Sequence, residues 1–264
     1  NQTYQNIEII CVNDGSTDNS LEILQQYSDK ITIMSQKNHG LASALNLGIR
    51  KMKGIWFKWF SPDDVMYPHT IETLVDTAKK YPNTIIYSNW KIINEKGKKL
   101  RDFSESNYNT LSNFEYNVRL LDRQLINVNT TLIPSSLFHK CNIRKLDDPV
   151  AIDYDFFLRC SLLYEIKFYL ISEQLIKYRI HSKQLSHKNI AKTLNYISEI
   201  KNEILQQIDN TVRDNYIYEL KQYKKSRPLK RKILEFCMKS VISHFSWASN
   251  RILTFYVNKI RKTR

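Results

Sequence analysis

Ile7-Glu8-Ile9-Ile10-Cys11-Val12-Asn13-Asp14-Gly15-Ser16-Thr17-Asp18 is the stretch that decides how the rest of the chain is read. It opens as an apolar, β-branched run of strand type. It breaks at Asn13-Asp14-Gly15-Ser16, residue types that turn a chain. Leu21, Leu24 and Tyr27 follow at helical spacing, with Ser16 or Asp18 placed to cap the helix. The same cycle then repeats. Residues 31–34 read as strand, Asn38-His39-Gly40 as turn, and Leu41, Ala44, Leu45, Gly48 and Ile49 as a helix. Residues 56–60 form an aromatic strand that runs into Ser61-Pro62-Asp63-Asp64. A helix over 68–81 and a strand over 84–87 complete the series. The alternation predicts an α/β fold, a Rossmann-like, mainly parallel sheet between helices. Such sheets bind ligands beyond the carboxyl ends of their strands. Both polar turns sit there, which predicts one shared site.

Beyond Lys91 the pattern loosens. Residues 94–98 are a hairpin turn, 104–126 read as helical, and 127–138 as a strand and helix start. Residues 151–163 are helical, with Phe156, Phe157 and Leu158 as core. Strands are expected over 167–170 and 175–181, and helix from Ile190 onward, broken at Arg227-Pro228 because the residue before proline leaves the helical region.

The 264 residues carry a formal net charge of +14, and the excess is concentrated at the end. From Lys188 to Arg264 there are 17 Lys/Arg against 6 Asp/Glu, and from Ser226 onward 10 against one, Glu235. An apolar stripe accompanies that charge: Leu229, Ile233, Cys237, Val241, Phe245, Ala248, Ile252, Tyr256 and Ile260, widened by Trp247 and Phe255. Two readings are open. One is a basic amphipathic helix on an anionic membrane surface, the other a helix packed on its own domain with a solvated basic face. Nucleic acid finds support in the charge alone, without a recognition motif. The four cysteines are scattered, as expected of free thiols in a reducing compartment. No run approaches the ~18 apolar residues that would span a bilayer. These features predict a cytoplasmic protein, peripheral at the inner face of the plasma membrane.

Four acidic or basic groups could carry chemistry. Asp14 is either a turn aspartate or a carboxylate receiving a nucleotide base or ribose. Asp63 and Asp64 are neighbours that repel unless solvated, capped or bridged by a hard cation. Such an ion would stabilise a diphosphate leaving group. Asp153, in Ile152-Asp153-Tyr154-Asp155, is either an ordinary first-turn acid or a general base. Arg179 and His181 alternate with Ile180 and so share a face that could meet phosphate.

In order, Asn1 to Ile10, Val12 to Asp18, Gly40 to Ile49, Pro62-Asp63-Asp64, Asp153 to Arg159 and Tyr178-Arg179-Ile180-His181 resemble the family 2 glycosyltransferases. These are inverting enzymes of the GT-A fold, and the resemblance covers roughly residues 1–187. It implies that Asp14 contacts the nucleobase, usually uracil. It matches Asp63 to the last aspartate of the Asp-x-Asp metal and diphosphate ligand, with Asp64 the acid that commonly follows. It matches Asp153 to the catalytic base and His181 to a histidine near the diphosphate. Three positions depart from the pattern: Ser61 replaces the first aspartate of Asp-x-Asp, Ile152 the glutamate before the base, and Leu45 an arginine. The match also begins where such proteins have completed a strand and a helix, so a truncated fragment is one expectation.

The expected organisation is a GT-A domain at 1–187 and a basic helical region at 188–264. The expected activity is inverting transfer from a UDP-sugar, with Mn²⁺ or Mg²⁺ held by Asp63 and Asp64. The acceptor hydroxyl would belong to a glycan or lipid-linked glycan in surface polysaccharide synthesis, with 226–264 on an anionic membrane. The rival is a nucleotide-sugar-binding module without turnover. A dinucleotide enzyme is disfavoured, since no GxGxxG follows a strand.

Overall fold

The computed structural model describes residues 1–182, 184 and 190–244, with side-chain environments given up to Cys237. The distal stripe from Phe245 to Ile260 and the expected boundary at 187/188 lie outside the described residues. Strands and helices alternate as β1 (Ile10–Asp14), α1 (Ser20–Gln25), β2 (Thr32–Gln36), α2 (Leu41–Lys51), β3 (Trp56–Phe57), β4 (Val65–Met66), α3 (Thr70–Lys80) and β5 (Thr84–Ile93). The order continues with β6 (Lys99–Phe103), α4 (Asn113–Asp122), β7 (Ile133–Pro134), α5 (Ile152–Leu162) and β8 (Lys167–Arg179). Three helices follow, α6 (Ile190–Leu205), α7 (Asn210–Ser226) and α8 (Leu229–His244).

The strands pair in three groups. β1 and β2 are parallel, β3 and β7 antiparallel, and β4-β8-β5-β6 form a four-stranded sheet whose central pair, β5 and β8, is parallel. Its outer strands, β4 and β6, run antiparallel to their neighbours, so the pairing is mixed. β3 is two residues long where five were expected. Its partner ends in Pro134, which has no N–H to donate, and Leu132 exchanges both backbone bonds with Ile86 instead. β8 is one strand where two were expected. Its register against β5 jumps from Ser88↔Ile171 to Asn89↔Gln174, leaving Ser172 and Glu173 as a bulge, which Asn89 Nδ2 closes by donating to the Ser172 carbonyl. α4 is shorter than expected, because a capping box between Ser112 and Glu115 fixes its start.

β5 is buried on both faces, as a central strand should be. Ile85 and Tyr87 point into the main core with Leu120, Leu121, Phe156 and Phe157, while Ile86 points the other way, onto Leu74 and Val75 of α3. Ile200, Ile204 and Tyr216 of α6 and α7 belong to the same main core. α7 ends where expected: Arg227 has ψ 152°, outside the helical region. All four cysteines are free. Among the described residues, no helix is long and apolar enough to cross a membrane.

Candidate functional site

Residues 61–64 form a tight turn beyond β3, closed by Asp64 N–H donating to the Ser61 carbonyl at 3.2 Å. The two aspartates in it face different surroundings. Asp64 is 7% exposed. Its Oδ1 accepts from the Arg179 backbone N–H at 2.7 Å and its Oδ2 from Asn129 Nδ2 at 2.6 Å. Burial is the main influence on this carboxyl and pushes its pKa up to about 6, with the Asp63 charge adding to the rise. Asp63 is the open one, with a side chain 36% exposed. His181 Nε2 lies 3.1 Å from its Oδ2. A hollow of about 410 Å³ beside this pair is lined by Asn94, Glu95, Lys96, Ile180, His181 and Ser182.

Two further side chains fix the turn. Asn129 sits in a 3-10 turn, Val128–Thr130, and is 4% exposed. Its amide nitrogen holds Asp64, its amide oxygen accepts from Ser61 N–H at 2.9 Å, and its backbone carbonyl accepts from Lys58 Nζ. Desolvation draws Lys58 down to about 7, against the pull of the Asp64 charge. Arg179 does not present a free guanidinium to a phosphate. Its Nε donates to the Asp63 carbonyl and its Nη1 to the Asn94 and Glu95 carbonyls, tying the turn to the β5–β6 hairpin.

Asp14 ends β1 and is bound by the end of β2 and the turn that follows it. Oδ1 accepts from Gln36 Nε2 at 2.7 Å and His39 N–H at 2.9 Å, and Oδ2 from Gly40 N–H at 2.9 Å. Some burial works against ionisation, but these donors prevail and hold the carboxyl below the usual carboxylate range. A carboxylate has about four acceptor positions, so one remains for a ligand. Gly15 allows the turn. Its φ is +76°, and a Cβ there would stand 2.8 Å from Asn38 N.

Asp153 lies in the first turn of α5. Its Oδ1 accepts from Tyr154 N–H at 2.7 Å and its Oδ2 from Gln124 Nε2 at 3.2 Å. Desolvation raises its pKa to about 6, within the range a general base needs. The segment between α4 and β7 touches both acidic centres: Gln124 reaches Asp153 and Asn129 reaches Asp64. Asp63 and His181 are in direct contact, whereas Asp14 and Asp153 are each bonded within their own neighbourhoods. Asn129, Lys58 and Gln124 were missed by the sequence reading. The only local sign of Asn129 was the turn-forming Asn127-Val128-Asn129 run.

A divalent ion can be tested against these donors. Among the described residues no three His, Cys, Asp or Glu side chains converge on one point. Asp63 with His181 supplies two donors. That fits an ion which takes one or two protein ligands and completes its shell from phosphate oxygens and water.

The profile of "Glycosyl transferase family 2" matches residues 1–139. A Rickettsia felis protein described as an uncharacterized glycosyltransferase is 40% identical over 191 residues, 71% of this chain and 31% of that protein. A Rickettsia prowazekii relative with a similar description is 37% identical over 188 residues, 70% of this chain and 58% of its own length. The matches therefore span about a third and somewhat over half of these relatives' lengths. Among solved structures, Staphylococcus aureus TarS 1–349 in complex with UDP superposes with a TM-score of 0.59 at 11% identity, covering 99% of this chain and 81% of that one. The same protein in complex with UDP-GlcNAc gives 0.56, also at 11% identity, covering 99% and 82%. Those structural likenesses establish the GT-A fold, and the profile match with the Rickettsia relatives establishes descent: the chain belongs to glycosyl transferase family 2.

Proposed function

We propose that this chain transfers a sugar from a UDP-sugar to an acceptor hydroxyl with inversion at the anomeric carbon. The observation that carries the reading is the division of labour in the Asp63–Asp64 turn. Asp64 is buried and held by protein donors, while Asp63 stays open beside His181 at the strand ends. UDP and UDP-GlcNAc in the TarS structures support a uridine donor. Asp14, with one acceptor position left, would receive the uracil. Asp63 and His181 would face the diphosphate and hold Mn²⁺ or Mg²⁺, with Asp64 shaping the turn behind them. Bound there, the ion would neutralise the charge that develops on the leaving diphosphate. Asp153 would take the acceptor's proton. The freed oxygen would attack the anomeric carbon, and the glycosidic electron pair would leave with UDP. The acceptor belongs to a surface glycan on a lipid carrier, which places the chain peripherally on the cytoplasmic membrane face, with 226–264 towards it.

The test is UDP release with Mn²⁺, comparing the chain with Asp63→Ala and Asp153→Asn. Loss in both variants is expected, and unchanged turnover in both would sink the assignment. A second reading, binding without turnover, is favoured by one observation: both Asp153 oxygens already have donors. Calorimetric binding of UDP with Mn²⁺, together with no transfer to any acceptor, would select it.

A further inference from the structure

The start of α8 is inside out. Arg231 in its first turn and Arg227 just before it are the buried residues, 8% and 6% exposed. Leu229, Ile233 and Phe236 are 71%, 53% and 73% exposed. An ordinary surface helix buries its apolar line and solvates its arginines. Here the arginines face the domain because a partner waits there. Asp122, at the end of α4, is ion-paired to both Arg227 and Arg231, and Glu235 bonds to the same two guanidiniums. This knot fixes the roll of the helix and turns the opposite face outward.

That outward face has a defined composition. Leu229, Ile233 and Phe236 are spaced i, i+4, i+7 and form one line. At about 100° per residue, Lys230 and Lys232 flank it on either side. Both lysines are exposed, and Lys232 also caps the Lys225 carbonyl. The one acid between Ser226 and Arg264 is Glu235, which is engaged by Arg227 and Arg231. No described residue covers the face. Three large exposed side chains in a row are unusual for a surface facing water alone.

We infer that the outward face of α8 docks on an anionic lipid surface. The apolar line enters the headgroup boundary, and the flanking lysines stay at the level of the phosphates, their stems along the apolar layer. The charge of the region selects this occupant. With Arg227 and Arg231 neutralised by Asp122 and Glu235, eight basic residues remain from Ser226 onward with no unpaired acid, so the region would repel a second copy of itself and attract an anionic bilayer. The inference deepens the proposed membrane placement and rests on it for purpose. Flotation and UDP binding are measured separately, so either can fail without the other.

The test is flotation of the full chain with phosphatidylcholine vesicles, with and without phosphatidylglycerol. The chain should rise with the anionic vesicles and stay down with the neutral ones. The triple change Leu229→Ser, Ile233→Ser and Phe236→Ser should weaken partition about 100-fold, since it removes the exposed apolar line of this face. Lys230→Glu should weaken it about tenfold. Neither variant should change the melting temperature or the affinity for UDP with Mn²⁺. Equal partition of the triple variant and the parent would overturn the inference, as would no flotation of the parent. A concentration-dependent dimer dissolved by the triple variant, without flotation, would make a second copy the occupant instead.

Discussion

Asp14, which ends β1, and the Asp63–Asp64 turn beyond β3 both put acid at a strand end, yet they use it differently. At the first, one carboxylate does everything: Asp14 collects Gln36, His39 and Gly40 and still has an acceptor position left. At the second, two neighbours split the work. Asp64 goes inward to Arg179 and Asn129, and Asp63 is left outward with His181. The difference shows why a doubled acid is useful. A single aspartate must trade ligand capacity against anchoring, whereas a pair can assign one to each.

The comparison breaks most sharply at Asp63. Asp63→Ala should lower transfer by about 100- to 1,000-fold, the range for losing a group that stabilises developing charge. Its melting curve should shift little, because the side chain is open. Asp64→Ala should do the reverse in kind. It strands the Arg179 N–H and the Asn129 amide in a buried setting, at a cost of about 2–4 kcal/mol by chemical denaturation. Comparable stability loss in both variants would erase the division between them.

Acidity sharpens the contrast further. Asp153 is held up to about 6 by burial, against an ordinary 3.8. Between those values the folded state binds a proton that the unfolded chain does not. Its contribution to stability is therefore least favourable above pH 6 and improves as pH falls from 6 to 4. Asp153→Asn should remove that improvement, on the order of 2 kcal/mol, when denaturation at pH 7.5 and 4.5 is compared. Asp14 is held low, so its part has the opposite sign and fades on acidification. The smallest effects belong to the first turn. Asp14→Ala should cost about 1–2 kcal/mol, with a weaker affinity for UDP. Gly15→Ala should cost about 1–2 kcal/mol through its left-handed backbone alone, and more where the added Cβ, 2.8 Å from Asn38 N, forces the next turn aside.

Much of this was legible in the chain. The strand-turn-helix cycle placed β1, β2, β3 and β5 because each carries its own periodicity, while the two-residue β4 is too short to carry one. Asp63 and His181 came as expectations from ordered motifs, and the structure brings them into contact. What was not legible depends on contacts distant in sequence. β3 stops early because of Pro134 and the claim of Ile86 on Leu132. Asp64 points inward because of Asn129, 65 residues on, and Arg179, 115 residues on. The stripe on α8 is periodic, but its direction is set by Asp122, more than a hundred residues earlier.

The bond from the Arg179 N–H to Asp64 has a use as a sensor. It joins the last residue of the longest strand to the carboxylate behind the open ligand. A charged Asp64 grips that amide strongly, and a protonated one holds it less tightly. The amide proton of one residue therefore reads the electrical state of the turn. Its resonance and exchange rate should move with a midpoint near pH 6, following the Asp64 carboxyl, and should move again when a nucleotide diphosphate arrives at Asp63. A single labelled arginine could thus report occupancy of the site without any assay of turnover.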